Sequence, residues 1–206
     1  MAITKVDISM LEDAGATGQV LTSDGTNWTS AAAGGGVDGI TSSATETAIN
    51  IDVNEIVTMP KQPGFDAYVN ANQIDKTGDG TGFAITGAFW TELSDKNADF
   101  SNGTFTAPVS GLYSFTAMVS ITGTTTSTTL FDFDLVLSNT SRRMFLSNNY
   151  GSVTGTNFIM TGALTAFMDA ADTAYLLVTA SGTGKLVDIG FGDDSRTTRF
   201  SGVLLL

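Results

Sequence analysis

The chain contains no cysteine and no histidine, only 3 prolines, and charged side chains at 15% of its residues. Without Cys or His there is no Ser-His-Asp triad, no thiolate nucleophile and no thiolate or imidazole metal site. Basic residues are scarce as well: 9 Lys plus Arg stand against 21 Asp plus Glu, a net charge of −12. Such a chain repels phosphate backbones, so no nucleic-acid partner is expected. No run approaches the ~18 apolar residues that a membrane span needs, so no membrane insertion is expected either. The start, Met1-Ala2-Ile3-Thr4-Lys5 leading into Val6-Asp7-Ile8-Ser9, lacks the long apolar segment of a secretory signal.

What is present points to strands. Hydrophobic residues reach 42%, which argues against wholesale disorder. With only 4 Glu and 5 Lys, the residues that coat exposed helices are nearly missing. Thr, Ser, Asn and Gly do the polar work, and they favour strands and turns. The composition is that of an all-β protein, and 206 residues allow one sizeable domain with an extension, or two small ones.

Residues 8–13 fit one short helical turn. Further on, Gln19-Val20-Leu21-Thr22-Ser23 and Thr26-Asn27-Trp28-Thr29-Ser30 flank Asp24-Gly25, a pair that tolerates the positive φ of a tight hairpin turn. A hairpin this small needs a partner surface, and Trp28 is its largest apolar group. Ala31-Ala32-Ala33-Gly34-Gly35-Gly36 reads as a flexible joint. Ala48 to Asn54 alternates apolar and polar as a half-buried strand does, and Pro60 and Pro63 close that segment.

From Gly64 onward the expected strands are 65–70, 82–91, 103–107, 111–121, 129–138, 142–147, 156–168, 173–179, 185–191 and 198–206. Tyr113, Phe115 and Ala117 share one face, as do Phe131, Phe133, Leu135 and Leu137. Closely spaced short strands without a helical pattern of useful length predict a sandwich or jelly roll.

Gly103-Thr104-Phe105-Thr106-Ala107-Pro108-Val109-Ser110-Gly111-Leu112-Tyr113-Ser114-Phe115 resembles the signature of the globular head of the first complement component, subcomponent q. That family shares its jelly-roll fold with the tumour necrosis factors. Phe200-Ser201-Gly202-Val203-Leu204-Leu205 resembles the family's last strand, and Gly64-Phe65-Asp66-Ala67 sits where its first would begin. The chain departs from the pattern at Ala170-Ala171-Asp172, where Gly-Asp is usual. Pro108, without an N–H, suits a loop or edge, and Gly111 is read as taking a turn angle closed to other residues. The resemblance implies a ten-strand jelly-roll sandwich assembled as a homotrimer, with both termini at its base. Phe105, Tyr113, Phe115, Phe200, Val203, Leu204 and Leu205 would form its core and trimer contacts. The run Val203 to Leu206 is apolar on both faces, which suits burial by its own core on one side and neighbouring subunits on the other.

The N-terminal part has a different likeness. Gly18 to Trp28 resembles a segment that recurs in bacteriophage tail-fibre proteins, while Ala48 to Asp52 and Val57 to Phe65 resemble the shaft-to-knob junction of similar fibres. The collagen Gly-X-Y repeats that precede the animal domain are absent. These resemblances imply a virion structural protein assembled in the host cytoplasm. Residues 1–36 would anchor it to other virion proteins through Val20, Leu21, Asp24, Gly25 and Trp28; 37–63 would be a short shaft or linker; 64–206 would be an outward knob that binds a host receptor or glycan. A capsid decoration, cement or head-fibre role is the alternative, followed by a secreted ligand of the same fold or a glycan-cleaving enzyme. No enzymatic activity is expected.

Several local patterns admit both a functional and a plainer reading. Asp75-Lys76-Thr77-Gly78-Asp79-Gly80 begins like a calcium loop, but Thr86 stands where a bidentate Glu is required, so a solvated turn is expected. Asp188, Asp193 and Asp194 would make a carboxylate cluster for a cation or for sugar hydrolysis, against an ordinary exposed loop. No cofactor is expected, and calcium at the trimer apex is the one ion that the resemblance keeps open. Arg142, Arg143, Arg196 and Arg199 are expected to pair with Asp132, Asp134 or Asp194 rather than to bind an anionic glycan. Phe89 and Trp90 are expected in the core rather than stacked on a sugar. Thr122 to Thr129 is expected to be a solvated connection, against the alternative of a receptor-facing tip.

Overall fold

The computed structural model describes residues 19–23, 28–32, 48–138, 140–148, 158–190 and 196–205; for 19–23, 28–32 and 146–148 it describes the backbone alone. The helical turn at 8–13, the turn residues Asp24 and Gly25, the Gly34 to Gly36 joint, and Asp193 and Asp194 lie outside these residues. Two compact units divide the chain, Met1–Glu46 and Thr47–Leu206.

In the first unit β1 (Gln19–Ser23) and β2 (Trp28–Ala32) form an antiparallel hairpin with Ser23 opposite Trp28. Four residues, 24–27, therefore link the strands instead of two, a loop length that hairpins also use. Ala31 and Ala32 pair with Val20 and Gln19, so they belong to the strand and not to the joint. By register, Leu21 and Trp28 fall on one face of this ribbon and Val20 on the other.

The second unit opens with another small hairpin, β3 (Asn50–Ile51) and β4 (Val57–Thr58). Asp52 holds its turn: one carboxylate oxygen accepts the N–H groups of Asn54 at 2.8 Å and Ile56 at 2.9 Å. Those bonds hold the Asp52 carboxyl below its usual range, the Ile56 N–H first. The half-buried strand expected over 48–54 is here two residues long and exposed on both faces. Its alternation is real, but the apolar phase has no cover within the sandwich.

The strands that follow are β5 (Gly64–Val69), β6 (Gln73–Thr77), β7 (Gly82–Ala84), β8 (Trp90–Asp95), β9 (Phe100–Ser101), β10 (Thr104–Thr106), β11 (Gly111–Thr122), β12 (Leu130–Leu137), β13 (Thr140–Asn148), β14 (Phe158–Met168), β15 (Thr173–Ser181), β16 (Val187–Gly190) and β17 (Arg199–Leu204). They form an all-β sandwich of two antiparallel sheets. One sheet runs β13-β12-β15-β10-β9, with β7 also on β15. The other runs β6-β16-β11-β17-β5-β8, with β14 on the free edge of β11. The expected strand 82–91 is two strands, because Gly87 adopts φ 142° and the chain turns over the buried Ile85. Polar Gln73–Thr77 adds β6, which its composition does not announce.

Between the sheets lies a core with strict alternation along β12 and β15. Phe65, Phe100, Phe105, Tyr113, Phe115 and Phe200 form a cluster of rings, with Phe65 stacked on Phe100 at 4.5 Å between centroids and on Phe105 at 5.1 Å. Each fully buried side chain of this size contributes about 1.5–3 kcal/mol. Tyr113 is buried to its tip, and its hydroxyl donates to the Val109 carbonyl at 2.7 Å. Burial pushes its phenol pKa up.

The glycine of the signature that needs its freedom is Gly103, not Gly111. Asn102 (φ 50°) and Gly103 (φ 86°) make the two-residue turn between β9 and β10, a pairing of conformations that favours Asn-Gly. A Cβ on Gly103 would also lie 2.4 Å from both the Ile85 carbonyl oxygen and Trp90 Nε1, which share a hydrogen bond of 2.8 Å. Gly111 instead opens β11 without a positive φ.

Where the family pattern has Gly, Ala171 adopts φ 72°. A left-handed L-residue costs roughly 1–2 kcal/mol, and glycine returns part of that through unfolded-state entropy. Ala171→Gly is therefore expected to stabilise the chain by about 0.5–1 kcal/mol, a rise of about 2 °C in melting temperature. Calorimetry of the two proteins checks this; an equal or lower melting temperature refutes it.

Candidate interaction surface

Strand β11 organises the surface as well as the core. Tyr113, Phe115, Ala117, Val119 and Ile121 point inward, which leaves Leu112, Ser114, Thr116 and Met118 on the outer face. The register extends these positions across the sheet. Phe167 of β14 lies opposite Leu112; Thr165 and Val203 flank Ser114; Ala163 and Ser201 flank Thr116. Leu205, just past β17, donates its N–H to the Leu112 carbonyl at 2.8 Å. One end of the face thus gathers Leu112, Phe167, Val203 and Leu205, with Phe167 66% exposed. Beyond it come small hydroxyl and methyl groups, including the Thr116–Ser201 hydroxyl pair at 2.6 Å. Charge borders these rows along β5 and β17: Asp66, opposite Ser201, makes a two-pronged pair with Arg199, whose Nε lies at 2.7 Å, and Lys96 lines a pocket with Asp66 and Val203. The Asp66 carboxylate raises the Arg199 pKa further.

Both ends of the sandwich meet beside this apolar corner. Leu204 donates its N–H to Pro63 at 3.1 Å, and Gln62 Nε2 donates to the Leu204 carbonyl at 2.7 Å. Next to them lies a cleft of about 640 Å³ lined by Met59, Pro63, Pro108, Val109, Leu204 and Leu205. Asp99 is its one acid. One of its oxygens is buried without a hydrogen-bond partner, and burial, followed by the nearby Asp95 charge, raises its pKa.

The structure separates the residues named together for core and trimer contacts. Phe105, Tyr113, Phe115 and Phe200 lie wholly inside the core, Leu204 is half-buried, and Val203 and Leu205 are exposed. Of the anchor residues, Val20, Leu21 and Trp28 lie in the first hairpin. Phe167 and Leu112 are additions that the sequence does not single out. Along β14 both phases are largely apolar or small, so period two alone does not say which phase faces out.

The other candidate sites are engaged locally. Asp75 and Thr77 belong to β6, and Asp79 accepts the Thr81 N–H at 3.0 Å, which lowers its pKa. Asp188 accepts the Asp75 N–H at 2.7 Å. Among the described residues no three acidic side chains come together as a metal cluster. Arg143 pairs with Asp132 at 2.5 Å and reaches Asp134 at 3.5 Å. Burial and the adjacent Asp134 nonetheless raise the Asp132 pKa, with Arg143 opposing them. Arg199 takes Asp66, a partner that only the β5–β17 register reveals. Arg196 lies 4.8 Å over the Tyr68 ring, while Asp194, its expected partner, lies outside the described residues. Trp90 packs edge-on against Phe100 at 5.6 Å, and Phe89 packs against the same core. The 122–129 segment is not simply solvated, because Thr124 and Thr128 are buried and the Thr125 N–H donates to Thr128 Oγ1 at 3.0 Å. Its hydroxyls replace the backbone partners that a strand would supply.

No protein-family model and no curated protein sequence matches the chain. Among solved structures, the globular domain of zebrafish complement 1qA protein is 22% identical, over 70% of this chain and 98% of its own, with a TM-score of 0.48. Murine APRIL at pH 8.5 is 9% identical over 70% of this chain and 100% of its own, with a TM-score of 0.46. Its crystal structure at pH 8.0 gives 10% identity, the same coverage and a TM-score of 0.47.

Proposed function

We propose that the chain is a homotrimeric, fibre-type structural protein of a bacteriophage virion, attached through residues 1–36 and presenting its jelly-roll knob outward to bind a host receptor or glycan. The observation that carries the trimer is the outer face of the β14-β11-β17 sheet. It is uncharged over most of its rows and ends in exposed Phe167, Val203 and Leu205 beside the half-buried Leu112. Contiguous apolar surface on a chain of net charge −12 is the surface that association covers. The fibre role draws its support from the likeness of Gly18 to Trp28 to tail-fibre segments and from the small β1–β2 ribbon, which gains stability only by packing on a partner.

Trp28→Ala tests the attachment. An aromatic truncation in a packed contact costs about 2–4 kcal/mol of binding, so the variant is expected to be strongly depleted from purified particles. Quantitative mass spectrometry of virions reads the depletion, and binding of the purified variant to host cells is expected to be unchanged. Full incorporation places the anchor elsewhere. Labelling of particles for electron microscopy then assigns the fibre to the tail or to the head.

A further inference from the structure

The β3–β4 hairpin has an apolar face that is exposed among the described residues. Ile51 pairs with Val57, and Ile49 and Met59 follow in the same register, so all four side chains share one face. Their exposures are 54% for Ile49, 66% for Ile51, 61% for Val57 and 49% for Met59. The opposite face carries Asn50 and Thr58. The turn is fully organised by Asp52, yet a ribbon with two residue pairs and no covered face is not stable in water.

We infer that this hairpin is a second subunit contact, in which its apolar face packs against the same hairpins of two further copies of this chain. The inference rests on the homotrimer proposed above. Continuity with the proposed trimer face selects the occupant. Met59 lines the same cleft as Leu204 and Leu205, with Lys61, Gln62, Asn97 and Asp99 at its polar parts, and Leu205 is bonded to Leu112 opposite Phe167, so the hairpin borders the corner of the sheet. A threefold axis that brings those corners together also gathers the three hairpins that lead into them. Period-two alternation over 48–54 then has its ordinary meaning, a strand with one face buried, but the burying surface comes from another subunit.

The chain contains no cysteine, so Val53→Cys places a single thiol on the hairpin turn, at a position that is almost fully exposed. Sedimentation of this variant reads the assembly, and a short bis-maleimide reads the proximity of the turns. A trimer whose cross-linking yield is unchanged on dilution supports the clasp. Two neighbouring substitutions add the same charge to opposite faces: Ile51→Asp is expected to weaken trimerisation by about tenfold or more, and Asn50→Asp to leave it unchanged. A trimer without cross-linking, or equal effects of the two aspartates, overturns the clasp and leaves the homotrimer standing. A monomeric Val53→Cys protein overturns both.

Discussion

Gly202→Ala is expected to cost about 3 kcal/mol of stability, at the upper end for one added methyl group in a tight core. Gly202 sits in the middle of β17, between Phe115 on β11 and Phe65 on β5. A Cβ there would lie 2.7 Å from Phe65 Cε1 and 2.8 Å from Phe115 Cδ1 and Cε1. Neither ring can swing aside. Phe65 is stacked against Phe100 and Phe105, and Phe115 is stacked on Phe200 at 5.8 Å. The glycine is therefore the notch into which two rings close, and its φ is not at issue. Gly202→Val, with its branched Cβ, is expected to give no soluble folded protein against a total stability of about 5–15 kcal/mol. Urea unfolding of Gly202→Ala checks the magnitude; a midpoint within error of the parent refutes the account.

Phe167→Asp is expected to abolish trimer formation at micromolar concentration while leaving the strand signal in circular dichroism intact. Phe167 is 66% exposed and adds little to the core of its own chain. On a subunit interface it becomes the largest apolar group of the corner, and its loss costs about 2–4 kcal/mol at each contact. The substitution also sets three carboxylates near one axis in a chain that is already strongly acidic. The hairpins alone are too small to hold the assembly. Sedimentation velocity distinguishes the outcomes, and an undiminished trimer at low micromolar concentration removes the sheet face as the subunit contact.

The sandwich was legible where chemistry enforces one answer. Tyr113, Phe115, Phe131, Phe133 and Leu135 alternate with polar neighbours, and a one-residue slip would turn every ring into water. The β1–β2 hairpin was visible in its flanking strands, although the register moved its turn from two residues to four. Asn102-Gly103 carried a turn signal of the same strength, and it marks the β9–β10 hairpin that the strand pattern alone passed over. Strand β6 was hidden because Gln73 to Thr77 is polar, and only its pairing with β16 makes it a strand.

The sequence by itself determined the all-β class, the alternating core and the chemistry that is missing, since composition and period depend on the residues alone. Tertiary structure decided which side of each strand is surface and which residues far apart in the chain become neighbours. It joined Arg199 to Asp66, brought Pro63 to Leu204, and made Gly202 the gap between two rings. It also turned Leu112, Phe167, Val203 and Leu205 into one corner. A side chain's own preference for water or oil says how much it gains by burial; the register of the strands says which neighbours are there to bury it.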